Sequence, residues 1–190
     1  AFQAVFDKCE INATNRGATT CNALSYRNLT PAHIQFLIDK GLDVNADCGW
    51  GYSAVALQAG NKDNLKCLLD HGADIDCIIK EYNGSALSKA CSCLDVEAVK
   101  NLLEQNASID VKCDLDQKSL LEAVLAHCDN AYIVNALEIS KMLIDAGAFA
   151  SDRTKEYVHR IGERFEFFRA DFNKERVEQY SDALDELYKM

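Results

Sequence analysis

The sequence predicts an all-α solenoid: helix pairs stacked in a row, joined by short hairpin loops and closed by further helices. Three observations carry this. One short phrase returns along the chain, as Gly41-Leu42-Asp43-Val44-Asn45, Gly72-Ala73-Asp74-Ile75-Asp76, Asn106-Ala107-Ser108-Ile109-Asp110 and Gly147-Ala148-Phe149-Ala150. The steps between these copies are 31, 34 and 41 residues, and a weaker copy, Lys8-Cys9-Glu10-Ile11-Asn12-Ala13, stands 33 residues before the first. Ahead of each copy runs an apolar stripe at helical spacing: Ile34, Leu37, Ile38; Leu65, Leu68, Leu69; Val99, Leu102, Leu103; Ile139, Met142, Leu143. Ahead of each stripe stands a hydroxyl residue, Thr19, Ser53, Ser85 or Ser119, placed to accept from the unpaired N–H groups of a first helical turn.

Taken in order, residues 1–7, with Phe2, Val5 and Phe6, read as the outer helix of an interrupted repeat. Four units follow, each a turn, an inner helix, an outer helix and a loop, so that residues 1–150 form the array. The second unit lacks two residues between its helices. The fourth carries an excess around residues 128–135 that either lengthens a helix or bulges as a loop, and such an insertion is either functional or a tolerated change at the surface. Residues 151–190 break the period. There Tyr157, Ile161, Phe165, Phe168 and Phe172 form one helical stripe, and Val177, Tyr180, Leu184, Leu187 and Tyr188 a second. A phase slip near Asn173 reads as a kink or as two helices. Because no repeat can bury its apolar face alone, the array needs covered ends, and this segment is expected to be a helical C-terminal cap. An amphipathic arm that docks on a partner or a neighbouring domain is the other reading.

The pattern resembles the ankyrin family, whose repeats run G-x-T-P-L-H-x-A-A, then a Gly-led turn, then L-L-x-x-G-A-D-V-N. The copy Gly51-Tyr52-Ser53-Ala54-Val55-Ala56-Leu57-Gln58-Ala59-Gly60-Asn61 is the best match. The Pro of the T-P-L-H phrase is replaced by Thr20, Ala54, Ala86 and Leu120, and the His by Asn22, Ala56, Ser88 and Glu122. Pro presets the first helical φ and the family's His ties neighbouring repeats, so the helix starts are expected to be looser than usual and the array modestly stable.

The resemblance implies a protein-recognition module with no catalytic role, whose partner lies across the concave side and touches hairpin tips and inner helices. By position, the tips carry Arg16, Trp50 and Tyr52, then Ile78, Ile79, Glu81 and Tyr82, then Leu115 and Asp116; Tyr26, Arg27, Ser92 and Cys93 come next along the groove. Trp, Tyr and Arg are the side chains enriched in binding hot spots. Trp50 and Tyr82 have a second reading, as a contact between adjacent hairpins that only stiffens the array. At the level of the whole chain the alternative is a structural brace, or a substrate-docking arm, for a catalytic domain outside this sequence. Asn45, after Leu37 and Asp43-Val44, also looks like the loop asparagine that oxygen-sensing hydroxylases modify in this family, with a structural turn residue as the other role.

Composition sets the remaining bounds. At 190 residues and 48% hydrophobic, the chain can bury a large core. A net charge of −10 sets it against nucleic acid and anionic membranes, and no Lys/Arg cluster of the kind they attract is present. Residues 1–150 hold 20 acidic against 12 basic side chains, which suits a protein partner with a basic or mixed patch around an apolar anchor. Without an initiator Met at Ala1, the sequence is expected to be part of a longer chain; no apolar run is long enough to span a membrane.

Nine cysteines, an odd number in a chain with ample apolar residues, read as reduced and buried thiols of an intracellular protein of the cytoplasm or nucleus. Cys91-x-Cys93, with Cys77 and Cys113 nearby, has the wrong spacing for zinc, since positions two apart on a helix point about 200° apart. His71, His127 and His159 lie whole repeats apart or merely adjacent to Cys128, which does not make a nucleophilic pair. No phosphate loop or paired-carboxylate motif occurs, so no metal, cofactor or catalysis is expected. Degenerate repeats with many cysteines also resemble those of effectors that intracellular bacterial pathogens deliver into host cells; a protozoan or other eukaryotic source fits the composition too.

Overall fold

The computed structural model describes residues 22–26, 28–49, 51–79, 84–113 and 117–190. After a 3-10 turn, Ala23–Ser25, the described helices are α1 (Pro31–Asp39), α2 (Ala54–Gln58), α3 (Lys62–Asp70), α4 (Ala86–Ser92), α5 (Val96–Glu104), α6 (Leu120–His127), α7 (Ile133–Asp145), α8 (Asp152–Phe168) and α9 (Lys174–Leu187), with a second 3-10 turn, Arg169–Asp171, between the last two. Side-chain caps start nearly all of them. Ser53, Ser85, Ser119 and Ser151 accept from the N–H three residues on, at Ala56, Ser88, Glu122 and Thr154, and so begin α2, α4, α6 and α8. Thr30, Asn61, Asp95 and Asn173 do the same for α1, α3, α5 and α9, whereas Tyr132 gives α7 no side-chain cap. Each such cap contributes about 1 kcal/mol. Thr19 and the half repeat expected over residues 1–7 lie outside the described residues.

The helices form two layers. In the inner layer α2 packs on α4, α4 on α6 and α6 on α8; in the outer layer α1 packs on α3, α5 on α7 and α7 on α9. Each inner helix also packs on the outer helix that follows it, from α2 with α3 to α8 with α9.

The expectation that residues 151–190 break the period therefore needs correcting. The loop phrase stops, but Ser151 follows Ser119 by 32 residues, as Ser85 follows Ser53. A fifth helix pair continues both layers with longer helices of 17 and 14 residues. What it lacks is a hairpin, since only residues 148–150 separate Gly147 from the capping Ser151. The phase slip near Asn173 is a true break, with Phe172 extended and Asn173 starting a new helix.

The recurring phrase encodes one turn. After α1 the Gly41 N–H donates to Ile38 O and that of Leu42 to Leu37 O; the same pair of bonds follows α3 at Gly72 and Ala73, α5 at Asn106 and Ala107, and α7 at Gly147 and Ala148. Such a turn needs a residue at positive φ. Gly41, Gly72 and Gly147 supply it at φ 92°, 83° and 102°, and Asn106 stands in at φ 61°. The polar residues of the phrase then link neighbours. Asn45 Nδ2 donates to Gly72 O at 3.0 Å while its Oδ1 accepts from Asp74 N at 2.9 Å, and Asp76 Oδ1 accepts from Ser108 N at 2.9 Å.

Buried amides make a second set of links, each from a helix to the inter-helix turn of the unit before. Asn64 donates to Leu29 O at 2.9 Å, Asn101 to Ala59 O at 2.9 Å and Asn135 to Leu94 O at 3.3 Å. At the family's His position the ties are partly kept: Asn22 Nδ2 donates to Asp47 O at 3.1 Å, and Glu122 Oε1 accepts from Ser151 Oγ at 2.8 Å.

Both length changes act on helices. The deletion in the second unit leaves a normal three-residue turn but cuts α2 to 5 residues, against 7 in α4. The excess in the fourth gives α7 13 residues against 9 in α5, and residues 128–132 form an Asp129-centred turn ahead of it. The core follows the layers. One cluster gathers Leu24, Leu29, Ile34, Leu37, Leu42, Val44, Cys48, Ala54 and Leu68; a larger one runs from Val55 to Leu187 and includes Val158, Ile161, Phe165, Tyr180 and Leu184 of the last pair. Phe165, 1% exposed, meets Phe172 and Tyr180 with ring centroids 6.2 and 6.1 Å away. Gly162 lets α9 approach, because a Cβ there would lie 2.2 Å from the Tyr188 hydroxyl.

Two turn variants test this account. At Gly72 nothing lies within 4 Å of an added Cβ, so Gly72→Ala should cost only the left-handed backbone strain, about 1–2 kcal/mol. Asn106→Gly should raise stability by a few tenths to about 1 kcal/mol. Urea unfolding followed by circular dichroism would show the two midpoints moving in opposite directions.

Candidate partner-binding face

The inner helices leave one face open. Behind the 3-10 turn, Tyr26 is 73% exposed, while its carbonyl accepts from the buried Gln58 Nε2 at 2.9 Å. Gln58 also donates to Leu24 O at 3.2 Å and accepts from Asn64 Nδ2 at 2.9 Å, so one buried amide fixes the backbone that presents Tyr26. Beside it α2 exposes Leu57. The Lys89 ammonium of α4 lies over the half-buried Tyr52 ring, 5.6 Å from its centroid. Burial alone would lower the pKa of Lys89; Cys93 and the Tyr52 hydroxyl outweigh burial and raise it, so the charge is held firmly. A groove of about 410 Å³ runs here, lined by Ser25, Leu57, Gln58, Lys89, Cys93 and Asp95 among others.

Of the residues expected to meet a partner, the structure brings Tyr26, Tyr52 and Ser92 to the inner-helix side, exposed in the first case and half-buried in the others. Arg16, Arg27, Trp50, Glu81, Tyr82, Leu115 and Asp116 lie outside the described residues. Ile79 is a correction. It is fully buried, and its N–H donates to Gly84 O at 2.8 Å across the hairpin, so its side chain offers nothing to a partner. Ile78, its neighbour, is 52% exposed, because successive side chains on extended backbone point to opposite sides.

Leu57 and Lys89 were missed by the sequence reading. The available signal was their register: each stands four residues after a capping serine, one turn along from the cap. The same position in α6 is Ala123, which is buried, so the register alone does not guarantee exposure.

The thiols and histidines do structural work. Cys91 is buried and Cys93 exposed, on different sides of the end of α4. Burial, then the nearby Cys113, pushes the Cys91 thiol well above its usual pKa. Cys128 is pushed up to about 12, by burial first and by Asp129 second, against a smaller opposing effect of Arg164. His71 and His127 each place Nδ1 against a carbonyl of their own helix, Cys67 O at 2.7 Å and Ala123 O at 2.8 Å. Among the described residues no His/Cys/Asp/Glu group is arranged to hold a metal, and no helix is long and apolar enough to cross a membrane. Both polar atoms of the Asn45 amide are taken up by the next loop, which is the structural turn role.

A family model for ankyrin repeats matches residues 21–113 in three copies. Residues 21–113 are therefore ankyrin repeats, and the stacked pairs of the chain form the all-α solenoid of that fold. Among solved structures it is similar to the ankyrin repeat domain of Bcl-3, described as a unique member of the IkappaB protein family, with a TM-score of 0.60 and 23% identity. The match covers 79% of this chain and 65% of that one, and at this identity it speaks for the fold alone. No curated protein matches the sequence significantly. Ankyrin repeats are in general protein–protein interaction modules, typically scaffolds without catalytic activity.

The buried thiols give a pH test. In the unfolded chain Cys128 ionises near its ordinary value of 9, and in the fold only near 12, so between those values the unfolded state has lost a proton the folded state keeps. Stability should therefore hold up to about pH 9 and fall as the pH rises toward 12, and Cys128→Ala should flatten that part of the profile. Urea unfolding midpoints measured across this range check the slope.

Proposed function

We propose that this chain recognises a protein partner along the open face of its inner helices, with Tyr26, Leu57, Tyr52 and Lys89 as the central contacts and, by sequence position, Arg16, Trp50, Tyr82, Glu81, Leu115 and Asp116 as further ones. The single observation that carries the reading is the exposure of Leu57 in a groove lined by the buried Gln58, with the exposed Tyr26 held next to it by the bond from Gln58 to its carbonyl. Large apolar side chains on a rigid floor bind at low entropic cost, and Lys89 adds a fixed charge. Cys93 also lines the groove, with Ser92 next to it in the chain.

The acidic balance of residues 1–150 supports a partner with a basic or mixed patch, whose encounter the charge would speed. The buried thiols of Cys48, Cys91, Cys113 and Cys128 support a reducing intracellular compartment.

Affinity capture from cell lysate with the wild type beside Tyr26→Ala/Leu57→Ala tests the reading, after circular dichroism has shown equal folding. A partner held by the wild type should be lost, or weakened roughly tenfold or more, in the double variant. Equal capture by both would favour a bracing role for the array. The association rate of a captured partner should fall with added salt; a rate indifferent to salt removes the electrostatic part.

A further inference from the structure

In a chain of net charge −10, α8 carries a basic and aromatic stripe. Arg153, Tyr157, Arg160, Arg164 and Phe168 follow one another at spacings of three or four residues, so they share one side of the helix. Gly162 marks the side that meets α9, through the close approach of Tyr188. At about 100° per residue the four residues from Arg153 to Arg164 lie roughly 140–180° round from it, turned away from the outer layer. One contact agrees with that placement. Arg153 reaches Glu122 of α6 at 3.7 Å. The stripe thus continues the open inner-helix face onto the last pair.

Its charges are available. Arg160 stacks over the Tyr157 ring, 4.7 Å from the centroid, and Arg153 Nη2 donates to the Tyr157 hydroxyl at 3.5 Å, so one half-buried ring organises two guanidinium groups. Among the described residues neither Arg160 nor Arg164 forms an ion pair, although Glu156 and Glu163 stand on the same helix. At the far end Phe167 and Phe168 pack edge to face at 4.8 Å with Phe167 81% exposed, an apolar surface with no cover among the described residues. Guanidinium groups bind carboxylates with paired, directional hydrogen bonds and stack on aromatic rings.

Resting on the recognition reading above, we infer that the C-terminal end of the binding face docks an acidic segment of a protein partner, with carboxylates on Arg160 and Arg164 and an apolar residue against Phe167 and Phe168. Charge complementarity selects this occupant. The chain as a whole, at −10, repels an acidic segment, and this stripe, with three arginines on one side of one helix, attracts one. A partner spanning the whole face would then be mixed in charge, acidic toward its contact with α8.

The test uses a displayed library of random peptides, selected on the wild type and measured against Arg160→Glu/Arg164→Glu, with Arg160→Ala/Arg164→Ala as a milder pair. All four changes are at exposed positions, and thermal melts confirm that the variants fold. The expected result is enrichment of acidic peptides with an aromatic or aliphatic residue, bound roughly tenfold or more weakly by the reversed variant and by less of a margin in the alanine pair. Enriched peptides that are neutral or basic, or that bind both variants as the wild type does, overturn the docking of an acidic segment. If those peptides are lost only in Tyr26→Ala/Leu57→Ala, recognition by the groove stands without the stripe. No enriched peptide at all overturns both.

Discussion

Everything in this fold depends on a turn that forces the backbone into a left-handed conformation after each outer helix. There the two paired hydrogen bonds close the helix end, and the chain is sent back toward the next inner helix at a fixed angle. Because the turn is the same after α1, α3, α5 and α7, every pair is offered to its predecessor in the same register. The apolar stripes then meet, and neither stripe needs to be strongly hydrophobic alone. At the third turn Asn106 holds the place, asparagine being one of the non-glycine residues enriched at positive φ.

The repeat, its two helices and the serines that start the inner ones were legible because each rests on local chemistry at fixed spacing. Ser53, Ser85 and Ser119 sit where the caps are. Ser151 sits there too, yet the last pair read as a break, because the loop phrase that had marked the other units is absent after α9 begins its own pattern and the hairpin ahead of Ser151 is missing. A missing loop hid a retained cap. The excess over residues 128–135 left two readings open for a physical reason: whether such residues extend a helix depends on a packing partner, and α9 supplies one for the lengthened α7.

The site was less legible than the fold. Tyr26 could be placed because it follows the first inner turn, but Ile78 and Ile79 could not be told apart without the hairpin's register, which puts one outside and the other in the core. Leu57 and Lys89 look like ordinary members of a helical pattern in the sequence. They become distinctive only when the deletion in the second unit has shortened α2 and Lys89 is seen lying over Tyr52. Glu122, a residue that departs from the family's pattern, restores by a different chemistry the tie to the neighbouring pair that histidine makes elsewhere in the family.

The short α2 has a consequence for how the array holds together. Its two consecutive residues Ala54 and Val55 belong to different core clusters, so a helix of 5 residues joins the core around α1 and Leu68 to the larger one. A groove lined by Ser25, Leu57 and Lys89 runs over this junction. A ligand seated across them would act as a clasp, tying the two core clusters together.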